Sequence, residues 1–81
     1  MRLFYTHRFL RDYTKAPIQV QETIDKHLTY LTEDLLHPSL HAKKYDEGRD
    51  IWQARVNKNW RFYFRIEGNT YFLLGVTRHP K

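Results

Sequence analysis

The 81-residue sequence has no cysteine, one methionine, three glycines and three prolines. Without cysteine there is neither a disulfide framework nor a thiolate metal site. That usage suits a reducing compartment, and a cytoplasmic protein is expected. No apolar run approaches the roughly 20 residues of a membrane span. The opening MRLFYTHRFLRDY lacks the apolar stretch of a secretory signal. No repeat, linker or low-complexity tract breaks the chain, so one small domain over residues 1–81 is expected. Negative charge is the scarce kind. Nine Asp and Glu stand against 14 Lys and Arg, a formal net charge of +5. Such a balance favours anionic partners: nucleic acid, an acidic protein or a membrane surface.

Aromatics are plentiful by contrast, with two Trp, six Tyr and five Phe. Most lie in the stretch from Ile51 to Lys81, which reads as two linked β-hairpins. Trp52, Ala54 and Val56, then Trp60, Phe62, Phe64 and Ile66, alternate with Gln53 and Arg55, then Arg61, Tyr63 and Arg65. Alternation at period two sends one set to each side of a sheet. With a first turn over residues 57–59, Val56 would face Trp60, Ala54 would face Phe62 and Trp52 would face Phe64. Gln53 would then face Tyr63, and Arg55 would face Arg61. Gly68-Asn69 would make the second turn, pairing Ile66 with Tyr71 and Phe64 with Leu73 and bringing Arg78 near Arg61. Arg55 and Arg61 would be like charges directly across from one another. That costs stability unless an anion sits between them, and so points to function.

The first half supplies the other layer. Arg2 to Thr6 is β-prone, and His7 to Lys15 reads as a short helix burying Phe9, Leu10 and Tyr13. Pro17 opens a second helix. There Val20, Ile24, Leu28, Leu31 and Leu35 form one apolar stripe, and Pro38 ends the helix at or before His37. Ser39 to Asp50 is polar and irregular. The expected fold is α+β in the order β-α-α-β-β-β, with a helical hairpin packed on one face of a mainly antiparallel sheet. His37 and His41 are four apart, but Pro38 separates them and no carboxylate cluster joins them, so no metal or other cofactor is expected. His7 and His27 read as surface or helix-flank residues.

The ordered series of a short strand, a helical hairpin, HPSL with Lys43-Lys44, IWQARV, a turn, WRFYF and LLGVTRHPK resembles the RelE/ParE toxin superfamily over essentially the whole chain. The resemblance implies the toxin of a toxin–antitoxin pair, partnered by a cognate and possibly acidic antitoxin. In the RelE branch such toxins are metal-independent endoribonucleases that cut mRNA, typically on the ribosome. In the ParE branch they inhibit DNA gyrase. A degenerate member that only binds its antitoxin or nucleic acid is a third reading. Arg61 matches the arginine that follows an aromatic residue in the penultimate strand. Arg78 and His79 match the closing segment, and Lys44 resembles the lysine before the second strand. Some RelE members carry a tyrosine after the last strand; in a sequence ending at Lys81 that role is expected to fall to His79 or Tyr63, or to be missing.

Cutting RNA without metal needs a base for the ribose 2′-hydroxyl, cations for the charge building on the phosphate, and an acid for the leaving 5′-oxygen. Arg61 and Arg78 are the expected charge stabilisers, because a guanidinium fork matches phosphate oxygens. His79 is the expected proton-transfer residue. Lys43, Lys44, Arg55, Lys58, Tyr63 and Arg65 are the expected RNA contacts, the lysines on the backbone and Tyr63 against a base or supporting the phosphate.

Overall fold

A computed structural model describes residues 1–79. A short strand, β1 (Arg2–Tyr5), leads into helix α1 (His7–Lys15) and helix α2 (Ile18–Glu33). A single 3-10 turn (Pro38–Leu40) follows, then strands β2 (Lys43–Asp46), β3 (Ile51–Asn57), β4 (Trp60–Glu67) and β5 (Thr70–Arg78). They form one five-stranded sheet in the order β1-β5-β4-β3-β2. Only the β1–β5 pairing is parallel. The α+β class, the helical hairpin and the three long strands are as expected, and the structure adds β2 inside the segment read as irregular. Left-handed residues mark its approaches, His41 at φ 46° before β2 and Asp50 at φ 57° before β3. No described helix is long and apolar enough to cross a membrane.

Thr6 starts α1 because its hydroxyl accepts from the Phe9 N–H while also donating to the Leu73 carbonyl at 2.7 Å. Phe9 and Tyr13, four apart, share a face; Phe9 is fully buried and Leu10, turned away from it, is largely exposed. The expected burial of Leu10 is therefore corrected. Pro17 caps α2 rather than opening it. Gln21, in the first turn of α2, reaches back to donate to the carbonyls of Tyr13, Thr14 and Ala16 at the end of α1. Helix α2 ends at Glu33, so Leu35 lies beyond it, half-buried.

The stripe Val20, Ile24, Leu28 and Leu31 packs with Phe9, Leu40, Ala54, Val56, Phe62, Phe64, Tyr71, Leu73 and Val76 into one core. Trp52, Trp60 and Ile66 seal its rim. Past Tyr5, β1 no longer covers β5. There Asp12 of α1 accepts from the Val76 N–H at 3.0 Å, so the helix finishes an edge that would otherwise be bare.

Three bulges correct the simple register. Trp52–Phe64, Gln53–Tyr63, Ala54–Phe62 and Arg55–Arg61 pair as expected, but Val56 is an extra residue and Trp60 sits opposite Asn57 instead. Leu74 is an extra residue in β5. It lets Leu73 and Val76, three apart, both enter the core, where strict alternation would have sent Gly75 inward. The same step pairs Arg61 with Thr77 and Arg78 with Trp60, so Arg78 does not lie across from Arg61. The third bulge is Tyr45 in β2.

Candidate nucleic-acid interface

The turn joining β3 to β4 organises the centre of the candidate site. The Asn57 side chain accepts from the Asn59 N–H at 2.8 Å, closing the turn. Arg61 leaves β4 on the face away from the helices and folds back, its Nη1 donating to the Asn57 and Trp60 carbonyls. The backbone N–H of His79 donates to the Asn59 carbonyl at 2.6 Å. One turn thus fixes both a guanidinium and the segment that carries an exposed imidazole. Beside them a depression of about 410 Å³ is lined by His41, Lys43, Gln53, Arg55 and Arg61. Arg55 and Arg61 face each other across the strands with both side chains half-buried.

Ion pairs sort the expected contacts. Among the described residues, no carboxylate comes within salt-bridge distance of Lys43, Arg55, Lys58, Arg61 or Arg78. Arg65 is paired with Glu67 at 3.6 Å. Lys44 is withdrawn from this face: it sits opposite Trp52, on the core side of the strand alternation. Its ammonium contacts Asp50 at 2.7 Å and lies 5.3 Å from the Trp52 ring centre. The hydrogen bond to Asp50 raises its pKa above the ordinary lysine value. Lys58 is exposed in the turn. Arg78 lies over the Trp60 ring at 5.9 Å, and its long side chain also reaches the rim of a second depression that contains Tyr63.

His27 is buried in α2, which corrects its reading as a flank residue. The Val56 bulge takes the Arg55 carbonyl out of the regular ladder, and His27 Nδ1 donates to that carbonyl at 2.7 Å. Burial lowers the imidazole pKa below its ordinary value, more than this hydrogen bond raises it. A neutral His27 therefore braces the strand that carries Arg55. Among the described residues, no group of three or more His, Asp or Glu gathers as a metal site would require.

Sequence reasoning missed Arg8 and Tyr45, which join Tyr63 around the second depression. Tyr45 shares its strand with Lys43 at a spacing of two, a signal of a half-exposed strand that the polar composition of residues 39–50 hid.

This architecture is that of the RelE/ParE toxin fold. Neither a protein-family model nor a curated protein sequence matches the chain. Solved structures do. The YoeB/ParE toxin from Agrobacterium tumefaciens is 16% identical with a TM-score of 0.82, covering 99% of this chain and 100% of that one. The isolated RelE toxin of E. coli is 17% identical with a TM-score of 0.77, covering 99% of this chain and 85% of that one. The toxin–antitoxin complex RelBE2 from Mycobacterium tuberculosis is also similar, at 20% identity and a TM-score of 0.78, over 96% of this chain and 90% of that one.

Proposed function

We propose that this protein is the toxin of a type II toxin–antitoxin pair, acting as a metal-independent endoribonuclease on mRNA, with the ribosome as the setting for cleavage. One observation carries the reading. Arg55 and Arg61 stand directly opposite on an open sheet face without a carboxylate partner among the described residues, and the turn that holds Arg61 also holds His79. Like charges opposed across strands cost stability. A phosphodiester seated between them removes that cost and gives the guanidiniums a charge to stabilise. Arg61 meets the non-bridging phosphate oxygens as charge builds. His79 exchanges the proton between the 2′-hydroxyl and the leaving 5′-oxygen. Arg78, on its Trp60 platform, and Lys43, Arg55 and Lys58 hold the flanking backbone. The partner is an acidic antitoxin that covers the +5 toxin. Toxin–antitoxin complexes among the structural neighbours support an antitoxin as the partner.

The test is cleavage by the purified protein with EDTA present, on free mRNA and on programmed ribosomes. Products ending in a 2′,3′-cyclic phosphate are expected in EDTA. Loss of cleavage on chelation overturns the mechanism. Growth arrest with intact mRNA and stalled replication overturns the reading itself.

A further inference from the structure

The second depression on the open face, about 440 Å³, is walled by Tyr45, Tyr63, Ile51 and Thr77, with Arg8 and Arg78 on its rim. Its volume falls within the roughly 300–1,000 Å³ of small-ligand sites. Three features of the backbone make it. Gly75 sits directly opposite Tyr63, so no cross-strand side chain covers that ring. A Cβ at position 75 would come within 3.1 Å of Asp12 Oδ2 and 3.3 Å of Arg8 Nε, so glycine lets these two side chains close over that end of the cleft. The Leu74 bulge brings Gly75 to that position, and the Tyr45 bulge turns the edge-strand tyrosine across the sheet until its ring meets Tyr63 edge-on at 4.9 Å. Tyr45 is nonetheless 62% exposed, which leaves a large aromatic surface uncovered.

We infer that this cleft is a nucleobase pocket: one unstacked base of a single-stranded RNA lies against Tyr45 and Tyr63, with its flanking phosphate between Arg8 and Arg78. The inference rests on the endoribonuclease reading and extends the RNA path beyond Arg61 to α1 and β2. Charge decides the class of occupant. Arg78 has no carboxylate partner among the described residues, and Arg8 has Asp12 at 3.7 Å, but that carboxylate also accepts from the Val76 N–H, so the rim keeps net positive charge. An exposed aromatic ring with cations on the rim suits a base joined to a phosphate. Because stacking needs only a π-face, the pocket accepts any of the four bases and holds the strand in register for the cut.

The experiment reads binding apart from cleavage. Fluorescence anisotropy follows a labelled 2′-O-methyl RNA ten-mer, whose blocked 2′-oxygen cannot attack, and a matched oligomer with abasic positions. Tyr45→Ala is expected to weaken binding of the base-bearing strand about 5- to 150-fold, the span of aromatic-to-alanine losses at stacking sites. Tyr45→Phe is expected to keep it, and both variants are expected to bind the abasic strand as the native protein does. Tyr45 is mostly exposed, so circular dichroism is expected to show an intact fold. Unchanged affinity in Tyr45→Ala, or an equal loss on the abasic strand, overturns the pocket. So does an acidic ten-residue peptide that binds as tightly with the same Tyr45 dependence, which would make the cleft a protein-docking site. Native protein that never cuts RNA yet shows the base-dependent loss leaves the pocket standing and removes the nuclease. Native protein that cuts RNA while Tyr45→Ala binds normally does the reverse.

Discussion

On the helix side of β4, Phe62 and Phe64 are fully buried, while on the other side Arg61 and Tyr63 are half-buried and Arg65 is exposed. The same strand thus serves two surfaces under different rules. The helix side is closed by α2 and by Leu40, so every side chain there is fixed by contact on several sides. The open side has no second layer. Arg61 is positioned by backbone carbonyls at a turn, Tyr45 by a bulge, and Arg55 and Arg61 stand closer together than folding alone would favour. Stability is therefore built into one face and ligand chemistry into the other.

Variants of adjacent residues on β4 separate the two. Phe62→Ala empties a fully buried site in a small core and is expected to cost about 3–5 kcal/mol, comparable to the whole stability of a marginal domain. Urea denaturation followed by tryptophan fluorescence measures it; a loss below about 1 kcal/mol would show that the core does not close as described. Next in size is the open face. Arg61→Ala is expected to lower the cleavage rate about a hundredfold, or about 3 kcal/mol of transition-state stabilisation. Arg61→Lys is expected to recover little of it, since an ammonium lacks the two-pronged contact.

Two smaller effects sharpen the contrast. Lys44→Ala is expected to leave RNA affinity unchanged, because Asp50 and Trp52 already hold that ammonium on the core side; Arg55→Ala is expected to weaken affinity and flatten its salt dependence. Titrating binding against ionic strength distinguishes the pair. His27 sets a pH dependence of stability. Burial holds its folded-state pKa below the value near 6.5 of an unfolded imidazole. Below about pH 6.5 the unfolded chain therefore takes up a proton that the folded chain does not, and stability falls on acidification until the folded-state value is reached. The urea midpoint is expected to drop with acid in that window, and His27→Gln, which still offers a donor to the Arg55 carbonyl, is expected to lose that part of the slope.

Most of the fold was legible because burial enforces periodicity. The stripe from Val20 to Leu31 and the alternation through Trp52, Ala54, Phe62 and Phe64 identified the core and fixed the Arg55–Arg61 pairing. The bulges were not legible. Nothing in the residue types at Leu74 announces an extra residue; the demand comes from the core, which takes Val76 in place of Gly75. That one step set Arg78 opposite Trp60, with its guanidinium over that ring. Lys43 and Lys44 looked equivalent in sequence, yet alternation along a strand hidden by its polar composition put them on opposite sides. His27 looked like a flank residue because its partner is a main-chain carbonyl freed by another bulge. The candidate site was thus legible where it follows alternation and illegible where it depends on departures from it.

The most direct measurement compares native protein and Arg61→Ala for single-turnover RNA cleavage in EDTA, with urea midpoints taken on the same preparations. If the open face carries the chemistry and the buried face the stability, the rate falls about a hundredfold while the unfolding free energy stays within about 0.5 kcal/mol of native. A folded Arg61→Ala protein that cuts RNA at the native rate would contradict that division of labour.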